Sequence, residues 1–288
     1  MEKILIGLDD EAASQVAVDW VIERARRAPV EVRLYTAFDE LLSNPLADER
    51  RLRETAERIV AAAPGSTVTT ELDDRSIMEG LVERSRDVDL VVIGSHPHRP
   101  VRSALTGAFP AGVAVRSECP TIVVPDDWKP GGGSVLLAVA DDDSSDAAIR
   151  FAAREALALG VPLEAVHAWE FPTASMDAVA AMLVGPEELS AAHQKILDRV
   201  VDRLAGEAVG VQIVPRLLHG PDGRVLDAVV DGARLVVLGT RRHSPAVGAL
   251  IGSHVQKLLH HGGVAIAVVG NVSPEADAGS PASVPAHA

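Results

Sequence analysis

The residues that could do chemistry in this chain cluster at the ends of short apolar runs. Ile4-Leu5-Ile6-Gly7-Leu8-Asp9-Asp10 and Val135-Leu136-Leu137-Ala138-Val139-Ala140-Asp141 both run from apolar residues into acid. Two further apolar runs lead into glycine, at Gly94 and Gly239. The second continues Gly239-Thr240-Arg241-Arg242-His243-Ser244-Pro245 and reaches Gly252-Ser253. Small residues at both ends of such a loop let backbone N–H groups approach an anion, and a following helix N-terminus favours negative charge. Arg241, Arg242 and Ser253 could add charge-assisted contacts. Asp141-Asp142-Asp143 could hold Mg²⁺ through carboxylate oxygens, but reads more simply as a solvated turn whose acids favour the next helix. His96-Pro97-His98 lacks a third metal ligand, and His260-His261 suits a helix C-terminus. Cys119 reads as a buried inert thiol, and no Ser–His–Asp set or catalytic acid pair is evident.

The elements that must position these residues come in two copies. The first apolar run repeats at an offset of 131 residues, and so does the strand-like Val32–Phe38 in Leu163–Trp169. Leu90–Gly94 repeats in Leu235–Gly239, and Thr121–Val124 in Ile266–Val269, at an offset of 145. The 14 extra residues of the second copy fall around Pro172–Gly185. Apolar residues near a 3.6 period predict helices at Ser14–Ala28, Asp48–Ala63, Ile77–Ser85 and Ser103–Arg116. In the second copy they fall at Ser145–Leu159, Glu187–Ala208, Gly223–Val230 and Val247–His261, with Ser14 and Ser144 or Ser145 as N-caps. The strands are continuous apolar runs, as in a parallel sheet covered on both faces. The expected fold is therefore α/β, with two tandem doubly wound domains, each a five-stranded parallel sheet flanked by helices. Residues 1–127 form the first domain, 128–133 a glycine-rich linker, 134–271 the second domain and 272–288 a disordered tail. In such a sheet ligands sit beyond the carboxyl ends of the strands, where the strand order reverses.

Lysine plus arginine is 27 against 41 aspartate plus glutamate, a formal charge of −14. That charge opposes nucleic acid and anionic membrane surfaces as partners. Aromatic residues are 3%, too few for base-stacking surfaces. No apolar run approaches a membrane span, the start has no signal-peptide layout and one cysteine allows no internal disulfide, so a cytoplasmic protein is expected.

From about Met1 to Gly270 the chain resembles a tandem universal stress protein. That family's nucleotide loop is Gly-x2-Gly-x9-Gly-(Ser/Thr) after the fourth strand, with an aspartate ending the first strand as adenine partner. Ile149-Arg150-Phe151-Ala152-Ala153, Leu163–Trp169 and Cys119-Pro120 are similar to the family as well. The resemblance implies ATP or another adenine nucleotide, with Mg²⁺, as cofactor, and a domain pair closed through the fifth strands. Thr121–Val124 and Ile266–Val269 should then run antiparallel about a pseudo-twofold, giving an intramolecular pseudo-dimer that could dimerise further.

Neither copy matches the motif fully. Gly239, Gly252 and Ser253 match in the second copy, with Arg242 at the middle glycine and Ala140 at the aspartate. Asp9, Gly94 and Gly107 match in the first, with Pro97 at the middle glycine and Ala108 at the Ser/Thr. Pro97 removes an N–H that could face phosphate. Adenine is expected near Asp9 and Ala37 in the first copy, and near Val139, Ala140 and Ala168 in the second. Three other readings remain: a nucleotide-free interaction protein, a slow nucleotide hydrolase and a receiver-like domain using Asp9, Asp73 or Asp74 and Lys129.

Overall fold

A computed structural model describes residues 1–38, 44–97, 108–139, 146–171, 185–220, 222–240, 258–259 and 262–270. In the first half, β1 (Glu2–Gly7), α1 (Ala12–Ala25), β2 (Val30–Ala37), α2 (Pro45–Ala62) and β3 (Thr67–Asp73) alternate. They continue through α3 (Ile77–Arg84), β4 (Leu90–Ser95), α4 (Ala108–Arg116) and β5 (Thr121–Pro125). The second half repeats the order with β6 (Ser134–Val139), α5 (Asp146–Leu159), β7 (Leu163–Trp169), α6 (Pro186–Glu207) and β8 (Ile213–His219). It ends with α7 (Asp222–Val230), β9 (Ala233–Thr240) and β10 (Ala265–Gly270).

All strands join one 10-stranded sheet in the order β3-β2-β1-β4-β5-β10-β9-β6-β7-β8. Pairing is parallel within each half, and β5 meets β10 antiparallel, as the sequence leads one to expect. The seam register sets Ile266 opposite Val123, Ala267 opposite Ile122 and Val268 opposite Thr121. Ala267 is the repeat counterpart of Ile122, so a pseudo-twofold passes between those two residues. The pairing hides an apolar edge in each half that would otherwise be open to other strands. The outer edges are β3, more open to solvent, and β8, where Pro215 lacks an N–H.

Side chains alternate between two cores because a strand turns successive residues to opposite faces. Ile4, Ile6, Leu34 and Leu137 pack on one face beneath α1, α2, α5 and α6. Leu5, Tyr35, Val91, Ile93 and Leu136 pack on the other beneath α3, α4 and α7. Cys119 is half-buried beside this second core, not fully enclosed. No helix among the described residues is long and apolar enough to cross a membrane.

Two sequence expectations need correcting. Ser14 is not an N-cap: Glu11 holds that position, and the Ser14 hydroxyl donates inside α1 to the carbonyls of Glu11 (2.9 Å) and Asp9 (3.1 Å). The strand order also removes the receiver-like reading, since β2 separates the ends of β1 and β3. Asp73 is committed elsewhere. Arg84, 8% exposed, donates to Asp73 Oδ2 (2.7 Å), to Glu71 and to the Gly80 carbonyl (3.1 Å), with its guanidinium 4.3 Å from the Tyr35 ring centroid.

Burial raises the Asp73 carboxyl, but the hydrogen bond from Arg84 and the contacts with Arg75 outweigh it and hold its pKa at about 2, against an ordinary 3.8. A depressed carboxyl contributes stability that is fully present above pH 3.8 and is lost as pH falls through about 2. Thermal melts of the wild type should therefore drop across that window. Asp73→Asn should melt lower at neutral pH and show a shallower decline in acid; parallel profiles for the two proteins would refute the pairing as a source of stability.

Candidate functional site

In each half the strand order reverses beside the first strand: β1 lies between β2 and β4, and β6 between β7 and β9. The crevice outside the carboxyl ends of those strands is where a doubly wound sheet binds ligands. Asp9, Ala37 and Gly94 come together there in the first half, and Val139, Ala168 and Gly239 in the second. Gly107, Ala140, Arg241, Arg242, Gly252 and Ser253 lie outside the described residues, as do Asp141-Asp142-Asp143 and His260-His261.

In the first half Leu8 carries β1 forward by one more sheet-like link, its N–H donating to the Tyr35 carbonyl (2.8 Å) while Thr36 Oγ1 donates to its carbonyl (2.6 Å). The chain then turns, and Asp9 Oδ1 accepts the Glu11 N–H (3.0 Å). Protein packed around the Asp9 carboxyl raises its pKa, against the lowering effect of the Glu11 amide and the Ser14 hydroxyl. Its side chain nevertheless opens to solvent, which limits that rise. Asp9 is thus a turn-former with an accessible carboxylate.

The β4 end is unlike a phosphate cradle. His96 Nδ1 donates to Asp126 Oδ2 (2.7 Å), and its Nε2 lies 3.6 Å from Glu11 Oε2. An imidazole between two carboxylates, with Asp9 and Asp10 close in sequence, makes this end acidic. A phosphate here would meet like charges, at about 1–4 kcal/mol for each close pair depending on solvent access. Ser95 Oγ, just beneath, is buried without a hydrogen-bond partner. Sequence reading missed Glu11 and Asp126, because Asp126 lies 30 residues from His96 and reaches it only through the pairing of β4 with β5. Among the described residues no group of three His, Cys, Asp or Glu side chains could hold a metal ion.

Gly94 has a packing duty as well. A Cβ there would sit 2.4 Å from the Ala13 carbonyl carbon and oxygen and 2.7 Å from Ser14 N. The glycine is what lets α1 begin directly against β4.

The second half builds the same crevice differently. His167, fully buried, stands where the repeat puts Thr36, and its Nδ1 donates to the Val139 carbonyl (2.9 Å) as Thr36 does to Leu8. Its Nε2 lies 2.9 Å from His193 Nδ1, and His193 stacks on Trp169 with 4.9 Å between ring centroids. Trp169 also meets His219 at 4.4 Å. Aromatic and imidazole rings therefore cluster at the carboxyl end of β7, next to Ala168 in the chain. A separate cleft of about 160 Å³ opens at the seam, where the chain leaving β5 meets the starts of β9 and β10, beside Trp20, Trp128, Arg27 and Arg234. Arg234 pairs there with Glu23 across the contact between halves, and Arg27 pairs with the same Glu23 from its own half (3.2 Å).

A pair of doubly wound α/β domains, joined through their fifth strands and with switch points at β1 and β6, defines a class of proteins. Residues 1–125 and 133–270 each match the universal stress protein family, and the chain belongs to that family. A universal stress protein of Mycobacterium tuberculosis strain H37Rv is 27% identical over 275 residues, spanning 87% of this chain and 90% of the relative. One from Mycolicibacterium smegmatis is 26% identical over 276 residues, with the same coverage of 87% and 90%. The crystal structure of a universal stress protein from Archaeoglobus fulgidus shares the fold, with a TM-score of 0.71 at 16% identity over 93% of this chain and 98% of that one.

Proposed function

We propose that this universal stress protein works in the cytoplasm by binding rather than turnover, and that it takes an adenine nucleotide in its second half. The observation that carries the reading is the contrast between the two β4-type ends. In the first half the Glu11–His96–Asp126 set opposes phosphate. In the second half the sequence after Gly239 supplies Arg241, Arg242 and the Gly252-Ser253 pair. Phosphates, with Mg²⁺, would be held by N–H groups around Gly252-Ser253 and by one of the two arginines. Adenine would lie over Val139 and Ala168, with the Trp169–His193 stack as a wall. It would lack the aspartate that Ala140 replaces, a loss of about 1–3 kcal/mol. A charge of −14 opposes nucleic acid as the partner.

Calorimetry with ATP·Mg²⁺ on the wild type and on Gly252→Asp tests the assignment. One nucleotide per chain is expected, with binding lost in the variant because a carboxylate enters the phosphate loop. Tight binding unchanged by Gly252→Asp would place the nucleotide elsewhere. No heat at millimolar nucleotide, with none released from the purified protein, would instead favour a nucleotide-free interaction protein, the reading that Ala140 and Arg242 suit.

A further inference from the structure

At the seam between the halves, the pseudo-twofold makes positions face their own repeat counterparts, and there the chain carries complementary residues in place of identical ones. Arg24 on α1 and Glu155 on α5 are counterparts, 131 residues apart, and they bond to each other. The guanidinium NH1 donates to Glu155 Oε2 (2.8 Å) and NH2 to Oε1 (2.7 Å), with Glu155 only 4% exposed. The same guanidinium holds Glu2 through Nε (2.7 Å) and NH2 (2.8 Å). One position along, Glu23 pairs across the seam with Arg234 at the start of β9. Their counterparts, Arg154 and Asp89, carry the inverse charges without forming a direct ion pair. On the axis itself, Ile122 faces Ala267, and both are buried.

We propose that this seam is a heterotypic recognition code, by which each half accepts the other and refuses a copy of itself. Pairing two first halves would set Arg24 against Arg24, Glu23 against Asp89 and Ile122 against Ile122. Pairing two second halves would set Glu155 against Glu155 without the Arg24 that holds it, Arg154 against Arg234, and Ala267 against Ala267 over a void. Glu2 still neutralises each Arg24, so refusal is stronger between two second halves. A buried charge left without its partner is the costliest of these defects, and juxtaposed like charges suppress wrong partners. Large against large overpacks the axis, and small against small leaves it unfilled. The partner that fits either half is thus its complement, from the same chain or from a second copy. Every assembled pair then contains one first-half crevice and one second-half crevice.

The test uses the whole folded chain with a protease site placed between Gly131 and Gly132, where nothing approaches within 4 Å of a side chain at Gly132. Light and isotope-labelled copies are cut after folding, mixed, allowed to exchange in mild denaturant and read by native mass spectrometry. Heterotypic pairs should exceed homotypic ones by at least about 100-fold, a ratio equivalent to ~2.7 kcal/mol. Homotypic pairs at their statistical share would overturn the proposal. The uncut chain supplies a second reading, independent of whether the cut halves exchange. Arg24→Glu and Glu155→Arg should each lower Tm, and Arg24→Glu/Glu155→Arg, which restores an opposite pair, should recover part of the loss, the remainder being the Glu2 contacts that only Arg24 makes. Additive losses in the double variant would overturn it too.

Discussion

Gly94→Ala should lower the melting temperature by roughly 6–12 °C, the shift expected of a ~3 kcal/mol loss in a chain of this size. The alanine methyl would enter at 2.4 Å from the Ala13 carbonyl and 2.7 Å from Ser14 N. Those are backbone atoms of the first turn of α1, so no rotamer change can move them aside. The helix cannot slide outward either, because Ala17, Val18 and Val21 are fully buried against the sheet. Overpacking of this kind costs about 1–3 kcal/mol and more where the neighbour is rigid. Gly112→Ala is the matched control. Its methyl meets only the Met78 side chain, Cε at 3.0 Å and Sδ at 3.4 Å, the far end of a flexible chain, and it replaces a glycine inside α4. The helix gain of ~0.5–1 kcal/mol offsets that contact, so its melting point should stay close to that of the wild type. Circular dichroism melts decide the matter. If Gly94→Ala melts within 2 °C of the Gly112→Ala control, on the order of the shift for ~1 kcal/mol, the close approach of α1 to β4 is wrong.

Gly94 shows how a sequence can point to the right residue for part of the reason. Its place in a glycine-led loop suggested backbone approach to an anion, and the structure adds a helix start that needs the same missing side chain. The duplication was legible because buried parallel strands read as unbroken apolar runs, and such runs align at constant offsets. Seven of the eight expected helices were legible for the same kind of reason, with boundaries moved by a few residues, while nearly all of the eighth, 247–261, lies outside the described residues. The cap of α1 was misread because serine favours caps in general, whereas here Asp9 makes the turn and Ser14 bonds back from inside the helix. Glu11 and Asp126 were invisible because neither sits in a motif, and their meeting at His96 exists only once β5 lies beside β4. The seam charges were in the sequence throughout. Arg24 and Glu155 gain meaning only when the antiparallel register of β5 and β10 shows which residues lie on the axis.

The other large effect expected is a gain. Ala140→Asp combined with Arg242→Gly should tighten adenine nucleotide binding by about 5- to 150-fold, the range given by ~1–3 kcal/mol for one added hydrogen bond to a polar adenine edge. Residue 140 is the repeat counterpart of Asp9, and it directly follows Val139, whose carbonyl is fixed by buried His167. An aspartate there would start from a strand end that is already anchored on the side facing β7. Arg242 occupies the middle-glycine position, and glycine relieves a cost on the order of 1 kcal/mol if the backbone there takes positive φ. The removed guanidinium works in the opposite direction, since it could serve a phosphate, but Arg241 remains. Ala140→Asp alone therefore separates the adenine contribution from the loop contribution. Asp9→Ala should leave nucleotide affinity unchanged if, as proposed, the acidic Glu11–His96–Asp126 set opposes phosphate in the first half. Titration calorimetry with ATP·Mg²⁺ at fixed salt compares the four proteins. If Asp9→Ala abolishes binding and Ala140→Asp does nothing, the nucleotide belongs in the first half and the assignment to the second falls.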